Sequence, residues 1–111
     1  MSNAPLHLHL VSDSTGETVH QIARACLAQF PEVRATEHVW RLVRSDTHVE
    51  AVINGVDRNP GIMLMSIVNP DLRALIETRC DERHIPHISV LDPVVNMLGN
   101  LLGQPMQSRP G

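Results

Sequence analysis

A hydroxyl-rich segment near the start of the chain carries most of the chemistry that the sequence offers. It runs Ser12-Asp13-Ser14-Thr15-Gly16-Glu17-Thr18, between an apolar β-like run and an amphipathic run with helical periodicity. Hydroxyl groups and the free amides of a helix N-terminus together suit phosphate or another anion. Asp13 opposes such binding, because a carboxylate repels phosphate unless a metal ion or a proton intervenes. The candidate anion or substrate site therefore comprises Ser12, Asp13, Ser14, Thr15 and Gly16.

The same segment has a purely structural interpretation. Ser14-Thr15-Gly16-Glu17 fits a capping box, in which Ser14 accepts a hydrogen bond from the amide of Glu17 and Glu17 reaches back. Such a cap stabilises a helix by about 1 kcal/mol without any ligand. Both interpretations stay open on the sequence alone.

Two further polar residues are expected at the same edge of the fold. Asn69 and Asp92 are each followed directly by a proline, and this pair of residues is typical of a helix start. We expect both to cap helices, and either could also contact a ligand. Arg41 and Arg44 end the predicted second strand near this edge, where they could pair with an anion or simply be solvated or ion-paired.

Two histidines alternate on the first predicted strand. His7 and His9 share one face of that strand, as two metal ligands would. A third ligand is not evident, so we expect no metal site. The alternative is that both imidazoles pack under a helix or hydrogen bond within the sheet.

The elements that must position these residues alternate between strand and helix. Strands are predicted at Leu6–Ser12, Thr36–Val43, Ile62–Val68 and His87–Leu91, and the second helix at Asp46–Asp57. Four βα units with right-handed crossovers predict an α/β fold. We expect a four-stranded parallel sheet with helices on both faces and the flavodoxin-like order 2-1-3-4. Residues 1–102 form this domain, and residues 103–111 are a predicted linker or disordered tail.

Composition excludes several classes of function. The chain has 111 residues, a net charge of −3 and no lysine, so it holds neither a P-loop lysine nor a Schiff-base lysine. The chain has no basic excess and only one Phe, one Trp and no Tyr, which argues against nucleic-acid binding, and no apolar run approaches a membrane span. Cys26 and Cys80 fall in amphipathic runs and are predicted to be buried apolar residues, which favours a reducing, cytoplasmic compartment.

Three α/β classes with a functional first loop are also excluded by residue type. A receiver domain needs an acceptor aspartate after its third strand and a later lysine, and here Asn69 follows that strand. A low-molecular-weight tyrosine phosphatase needs a cysteine in the first loop, which Ser12 opens here. A dinucleotide-binding turn needs three glycines, and only Gly16 is present.

The sequence does resemble one family along nearly its whole length. The segment from His7 to Val19 resembles the opening of the pyruvate, phosphate dikinase regulatory proteins, which include the phosphoenolpyruvate synthase regulatory proteins. The resemblance continues through the following segments: Glu37–Trp40, Leu42–Arg44, Asn59–Gly61, Val68–Arg73, Leu91–Pro93 and Arg109–Gly111.

The resemblance implies a bifunctional serine/threonine kinase and phosphorylase. The kinase direction uses ADP to phosphorylate a threonine on the target dikinase or synthase, and the phosphorylase direction uses inorganic phosphate to remove that group and release pyrophosphate. The family's P-loop and acidic catalytic motif lie in its second half and do not occur here. We therefore assign no catalytic residue and no cofactor to this chain, and we expect this piece alone to be inactive. For the full protein, the resemblance implies that ADP or ATP and inorganic phosphate bind.

Two other roles remain open at this stage. The chain could be a stand-alone domain that binds an anion or small molecule, or a module that docks the target enzyme without catalysis. An exposed edge at the fourth strand would also permit a homodimer.

Overall fold

A computed structural model describes residues 4–105, and the end of the predicted tail, residues 106–111, lies outside them. The strands are β1 (Leu6–Ser12), β2 (Ala35–Trp40), β3 (Gly61–Ser66) and β4 (His87–Ser89), and each is followed by a helix: α1 (Glu17–Leu27), α2 (Asp46–Arg58), α3 (Pro70–Glu82) and α4 (Asp92–Leu102). All neighbouring strands pair in parallel, in the order β2-β1-β3-β4. The predicted fold class and strand order are confirmed.

Side-chain alternation along the strands divides the core between the two faces of the sheet. Val11, Met63 and Met65 pack with buried residues of α2 and α3 on one face. Leu8 and Leu10 project to the opposite face, where they pack with Val19 and Ala23 of α1. The helices thus lie on both faces, as predicted.

The helices α2 and α3 are also joined at their surfaces. Two nitrogens of the Arg79 guanidinium donate to Glu50, Nε to Oε1 at 2.8 Å and Nη2 to Oε2 at 2.7 Å. This bidentate contact lowers the pKa of the Glu50 carboxyl and raises that of the guanidinium. Arg83, just after α3, contacts Asp57 of α2 through Nη1 alone. Surface ion pairs of this kind add little stability.

The second strand differs from its predicted range. It begins at Ala35 and ends at Trp40, whereas the prediction ran from Thr36 to Val43. Leu42 has φ 55°, which takes the backbone out of the extended conformation. The amides of Leu42 and Val43 instead donate to the carbonyls of Ser14 and Ser12. Leu42 and Val43 therefore hydrogen bond to the loop after β1 instead of extending strand β2.

The fourth unit is less well packed than the sequence suggests. Strand β4 spans only three residues and ends before the predicted Leu91. Helix α4 begins at Asp92 and so includes the residue that was expected to cap it, and none of its eleven residues is buried. The apolar positions of this helix therefore do not contribute to the core formed by the described residues.

The two cysteines have different environments. Cys80 is a fully buried residue of α3, as predicted, and burial raises the pKa of its thiol to about 11. Cys26 is exposed, so its predicted burial is wrong. It lies near the end of α1, on the face of the sheet where α1 is the only described helix that contributes buried residues, and amphipathic periodicity cannot reveal this.

Within residues 4–105, no helix is long and apolar enough to cross a lipid bilayer.

Candidate functional site

The loop between β1 and α1 is held by its own backbone and by two neighbouring elements. Ser12 is buried, and its Oγ accepts a hydrogen bond from the amide of Ser14 at 3.0 Å. The carbonyls of Ser12 and Ser14 accept from the chain after β2 at 2.9 and 3.0 Å. Hydrogen bonds within the loop and to the chain after β2 therefore hold the loop conformation.

Asp13 is the most buried charged residue of this loop. It is 3% exposed, and its Oδ2 accepts from the amide of Val68 at 3.0 Å, just after β3. Its carbonyl accepts from Nε of Arg44 at 2.9 Å. Oδ1 is buried without a hydrogen-bond partner in the part of the chain that the structure describes. Asp13 thus links the ends of β1 and β3 and does not present its carboxylate to solvent.

The predicted capping box is absent. Helix α1 begins at Glu17 with Gly16 as its N-cap residue, and no side chain among the described residues caps this end. Gly16 has φ 85°, a left-handed conformation that glycine adopts without a steric cost. Because Ser14 lies two residues before the cap, it cannot reach the amide of Glu17 in the way the motif requires. The first-turn amides of α1 are left without a side-chain acceptor.

A cleft of about 360 Å³ opens beside this uncapped helix end, and we call it the loop cleft. One wall is the start of α1, and the other is the end of β2 with the exposed side chain of Arg41. At its side, Nε2 of His20 lies 2.9 Å from Oε2 of Glu37. The lining residues are Thr15, Gly16, Glu17, His20, Val39 and Arg41.

The predicted site residues reach this cleft only in part. Thr15 and Gly16 line it, whereas Ser12 and Asp13 are buried behind it in the loop's own hydrogen bonds. Ser14 is half-buried and is not in the lining. Sequence reasoning missed His20, although its position four residues after Gly16 places it one helical turn above the loop.

Asn69 and Asp92 lie at the same sheet edge but outside the loop cleft. Asn69 caps α3 as predicted, since its Oδ1 accepts from the amides of Asp71 and Leu72 at 2.9 and 3.1 Å. Asp92 is not a cap. The N-cap position of α4 is held by Leu91, so Asp92 is already the first helical residue. Its Oδ1 lies 3.4 Å from Nη1 of Arg73.

The two strand histidines are engaged with other side chains. His7 Nδ1 lies 2.9 Å from Nε2 of His38, and the rings of His9 and His38 stack at 4.6 Å. Nε1 of Trp40 donates to Nδ1 of His9 at 3.1 Å, so Nδ1 acts as the acceptor. The proton of neutral His9 is therefore on Nε2, which donates to the carbonyl of Asn59 at 2.8 Å. Burial, foremost, lowers the pKa of His9.

This arrangement matches the predicted alternative of hydrogen bonding within the sheet. Both ring nitrogens of His9 are already used, which leaves it no lone pair for a metal ion. Residues 4–105 contain no group of three or more His, Cys, Asp or Glu side chains placed to hold a metal.

Comparison with known protein sequences shows which family the chain resembles. The family model for kinase/pyrophosphorylases matches residues 8–111. Curated relatives named "Putative pyruvate, phosphate dikinase regulatory protein" are 46% identical over 106 residues in Rhizorhabdus wittichii, 44% over 111 in Rhodospirillum rubrum and 50% over 105 in Paramagnetospirillum magneticum.

These matches cover 95–100% of this chain but only 34–40% of each relative. The chain thus spans about two fifths of the length of the curated relatives it matches. With nearly its whole length matched by the family model, this chain belongs to the kinase/pyrophosphorylase family.

Proposed function

We propose that this chain is the part of a pyruvate, phosphate dikinase regulatory protein that supplies an anion-binding site at the loop cleft. The family match and the names of the relatives support the regulatory role. The single observation on which the proposed anion site depends is that the N-terminus of α1 has no side-chain cap and lies beside the exposed Arg41. The alternative of pure helix capping loses its support, because no capping side chain occupies that end among the residues described.

The full protein is proposed to act on the dikinase, or on phosphoenolpyruvate synthase, in two directions. It phosphorylates a threonine with ADP as donor, and it removes that phosphoryl group by transfer to inorganic phosphate, forming pyrophosphate. ADP, inorganic phosphate, pyrophosphate and the phosphorylated threonine all carry phosphate groups. An anion site in this chain would therefore hold either a free phosphate species or the phosphorylated threonine of the target.

The loop cleft suits such an anion by its electrostatics. The first-turn amides of α1 carry the positive end of the helix dipole, and the Arg41 guanidinium adds a full positive charge on the opposite wall. The Thr15 hydroxyl offers a further donor. Glu17 opposes binding, so we expect the affinity for a small anion to be modest and to fall with added salt.

Catalysis is not proposed for this chain alone. Phosphoryl transfer depends on cationic groups that clamp the transferred phosphate, and a lysine-bearing P-loop is absent from this sequence. We expect the purified chain to leave the dikinase unphosphorylated in the presence of ADP. Robust threonine phosphorylation by the purified chain would overturn this part of the proposal.

The anion site is tested by following backbone amide resonances during titration with inorganic phosphate and pyrophosphate at constant ionic strength. We expect the largest shifts at residues 15–19 in the millimolar range. The variant Arg41→Gln should weaken binding several-fold, whereas the matched Arg58→Gln, an exposed arginine at the end of α2 and outside the cleft lining, should not. Amides 15–19 that stay unmoved in both titrations would refute the site.

A further inference from the structure

One face of the sheet is only partly covered. Parallel strands are normally buried on both faces, and α2 and α3 together cover one of them. On the other face, only α1 contributes buried residues to the core of residues 4–105. Ile88, which pairs with Leu64 in register and so shares its face, is 52% exposed. The β3–β4 side of this face is therefore open.

An apolar groove continues this open area toward the end of α1. Its volume is about 260 Å³, and Phe30 at its margin is 62% exposed. No charged side chain lines it. We call the following residues the open face: Cys26, Phe30, Val33, Ile62, Leu64 and Ile88.

Helix α4 presents a second apolar surface without a partner. Five of its large apolar side chains are between 48% and 79% exposed, and the most exposed is Leu101. An eleven-residue helix is marginal in water unless an amphipathic face is packed against something. The exposed residues are Val94, Met97, Leu98, Leu101 and Leu102.

We infer that the open face and α4 are covered, within the same molecule, by the portion of the polypeptide that corresponds to the other three fifths of the relatives. The relatives match almost all of this chain and carry about one and a half times its length in addition. A tethered segment has an effective concentration in the millimolar range, so it outcompetes a second copy or a separate partner for an apolar surface. This inference rests on family membership and not on the anion site.

The reactivity of Cys26 tests the open face. This thiol is exposed at the groove, whereas Cys80 is buried. In a chimera, this chain replaces the matched segment of the Rhodospirillum rubrum relative, and alkylation by iodoacetamide is followed by mass spectrometry of the peptides. Cys26 should react at least about tenfold more slowly in the chimera than in the isolated chain, since an interface must open before the thiol can react.

Matched variants locate the protection. In a Cys26→Ser background, Leu101→Cys on α4 should show the same slowing in the chimera. Ala74→Cys, at an exposed position of α3 on the covered side of the sheet, should react at equal rates in both proteins. Equal rates at all three positions, with a chimera whose circular dichroism shows a folded protein, would overturn the inference.

Dilution separates the possible occupants. Protection of Cys26 that persists over roughly a hundredfold dilution is intramolecular, whereas protection by a second copy falls as a dimer dissociates. Protection that vanishes on dilution, or that appears only when the dikinase is added, would assign the surface to a second copy or to the target and would refute the inference.

A measurement on the intact relative does not depend on the chimera. Hydrogen exchange in the full-length Rhodospirillum rubrum protein should be slow over the segment that matches residues 92–102, and exchange over those residues should be fast in the isolated chain. Equally fast exchange in both proteins would refute coverage of α4. Loss of phosphate binding at the loop cleft would leave all of these results unchanged, so the two proposals fail separately.

Discussion

Gly55 lies inside α2 where the helix meets the indole ring of Trp40. A Cβ atom added at position 55 would overlap Cζ2 and Cη2 of that ring and lie 3.5 Å from Cε2. The ring is not free to turn away, because its Nε1 donates to the buried His9. We therefore predict that Gly55→Ala destabilises the fold, although alanine is the better helix former.

Opposing contributions determine the size of this effect. Alanine in place of glycine inside a helix favours folding by about 1 kcal/mol. Overpacking a well-packed site costs about 1–3 kcal/mol. A shift of Trp40 that leaves Nδ1 of His9 buried without a donor costs a further ~1–3 kcal/mol. The free energy of unfolding should therefore fall by about 1–5 kcal/mol in the Gly55→Ala variant.

Urea unfolding followed by far-ultraviolet circular dichroism measures this loss. A double-mutant cycle with Trp40→Phe isolates its cause, since phenylalanine lacks the six-membered part of the indole that an alanine would meet. In the Phe background we expect Gly55→Ala to be nearly neutral or stabilising, which corresponds to a coupling energy of at least about 1 kcal/mol. The control Ala51→Gly, at an exposed position of α2, measures the helix-propensity contribution in the same helix.

Two results would refute this reasoning. The first is a Gly55→Ala variant that is more stable than the wild type by the amount that Ala51→Gly loses. The second is an equal effect of Gly55→Ala in the Trp40 and Phe backgrounds, which would mean that the added methyl group does not meet the ring.

Three further predictions concern pH, capping and thiol chemistry. Folding lowers the pKa of His9, so the unfolded chain takes up a proton first and the free energy of unfolding should fall as pH drops below about 6.5. The side-chain amide of His9→Gln can make both hydrogen bonds but cannot titrate, so this variant should flatten the decline in urea titrations across pH. An unchanged decline would contradict the assignment to His9. Asn69→Ala removes the α3 cap and should lower the free energy of unfolding by about 1 kcal/mol. Asn54→Ala, on the exposed surface of α2, is the control, and equal losses in the two variants would argue against the cap. At pH 8, a thiol reagent should modify Cys26 rapidly and Cys80 only on unfolding, since burial raises the Cys80 pKa to about 11; equal rates would contradict the burial.

Local patterns account for those parts of the fold that depend on neighbours in sequence. The strand–helix alternation, the central apolar strand and the Asn69-Pro70 helix start each depend on a few adjacent residues. The strand order also follows, because short right-handed crossovers leave few arrangements for four βα units. These predictions are confirmed in the structure, except that the third strand spans Gly61–Ser66 and ends two residues before the predicted Val68.

The position of the loop after β1 was predictable, but its contacts were not. Parallel strands place this loop at the carboxyl edge of the sheet, where the structure has it. The sequence also placed Arg41 near that edge, but it did not show that Asp13 would bond to the Val68 amide or that His20 would line the cleft with Gly16. Those contacts join residues from different elements, and no local pattern records the distance between them.

The sequence by itself determined which segments are strands and helices, the order of the sheet, and the family resemblance that the comparisons confirm. Only the tertiary structure decided which helix ends are capped and which apolar faces are covered. Gly16 replaces Ser14 as the cap, Cys26 is exposed rather than buried, and α4 buries none of its residues. The physical reason is that amphipathic periodicity records which side of a helix is apolar, whereas burial also requires an element to pack against that side.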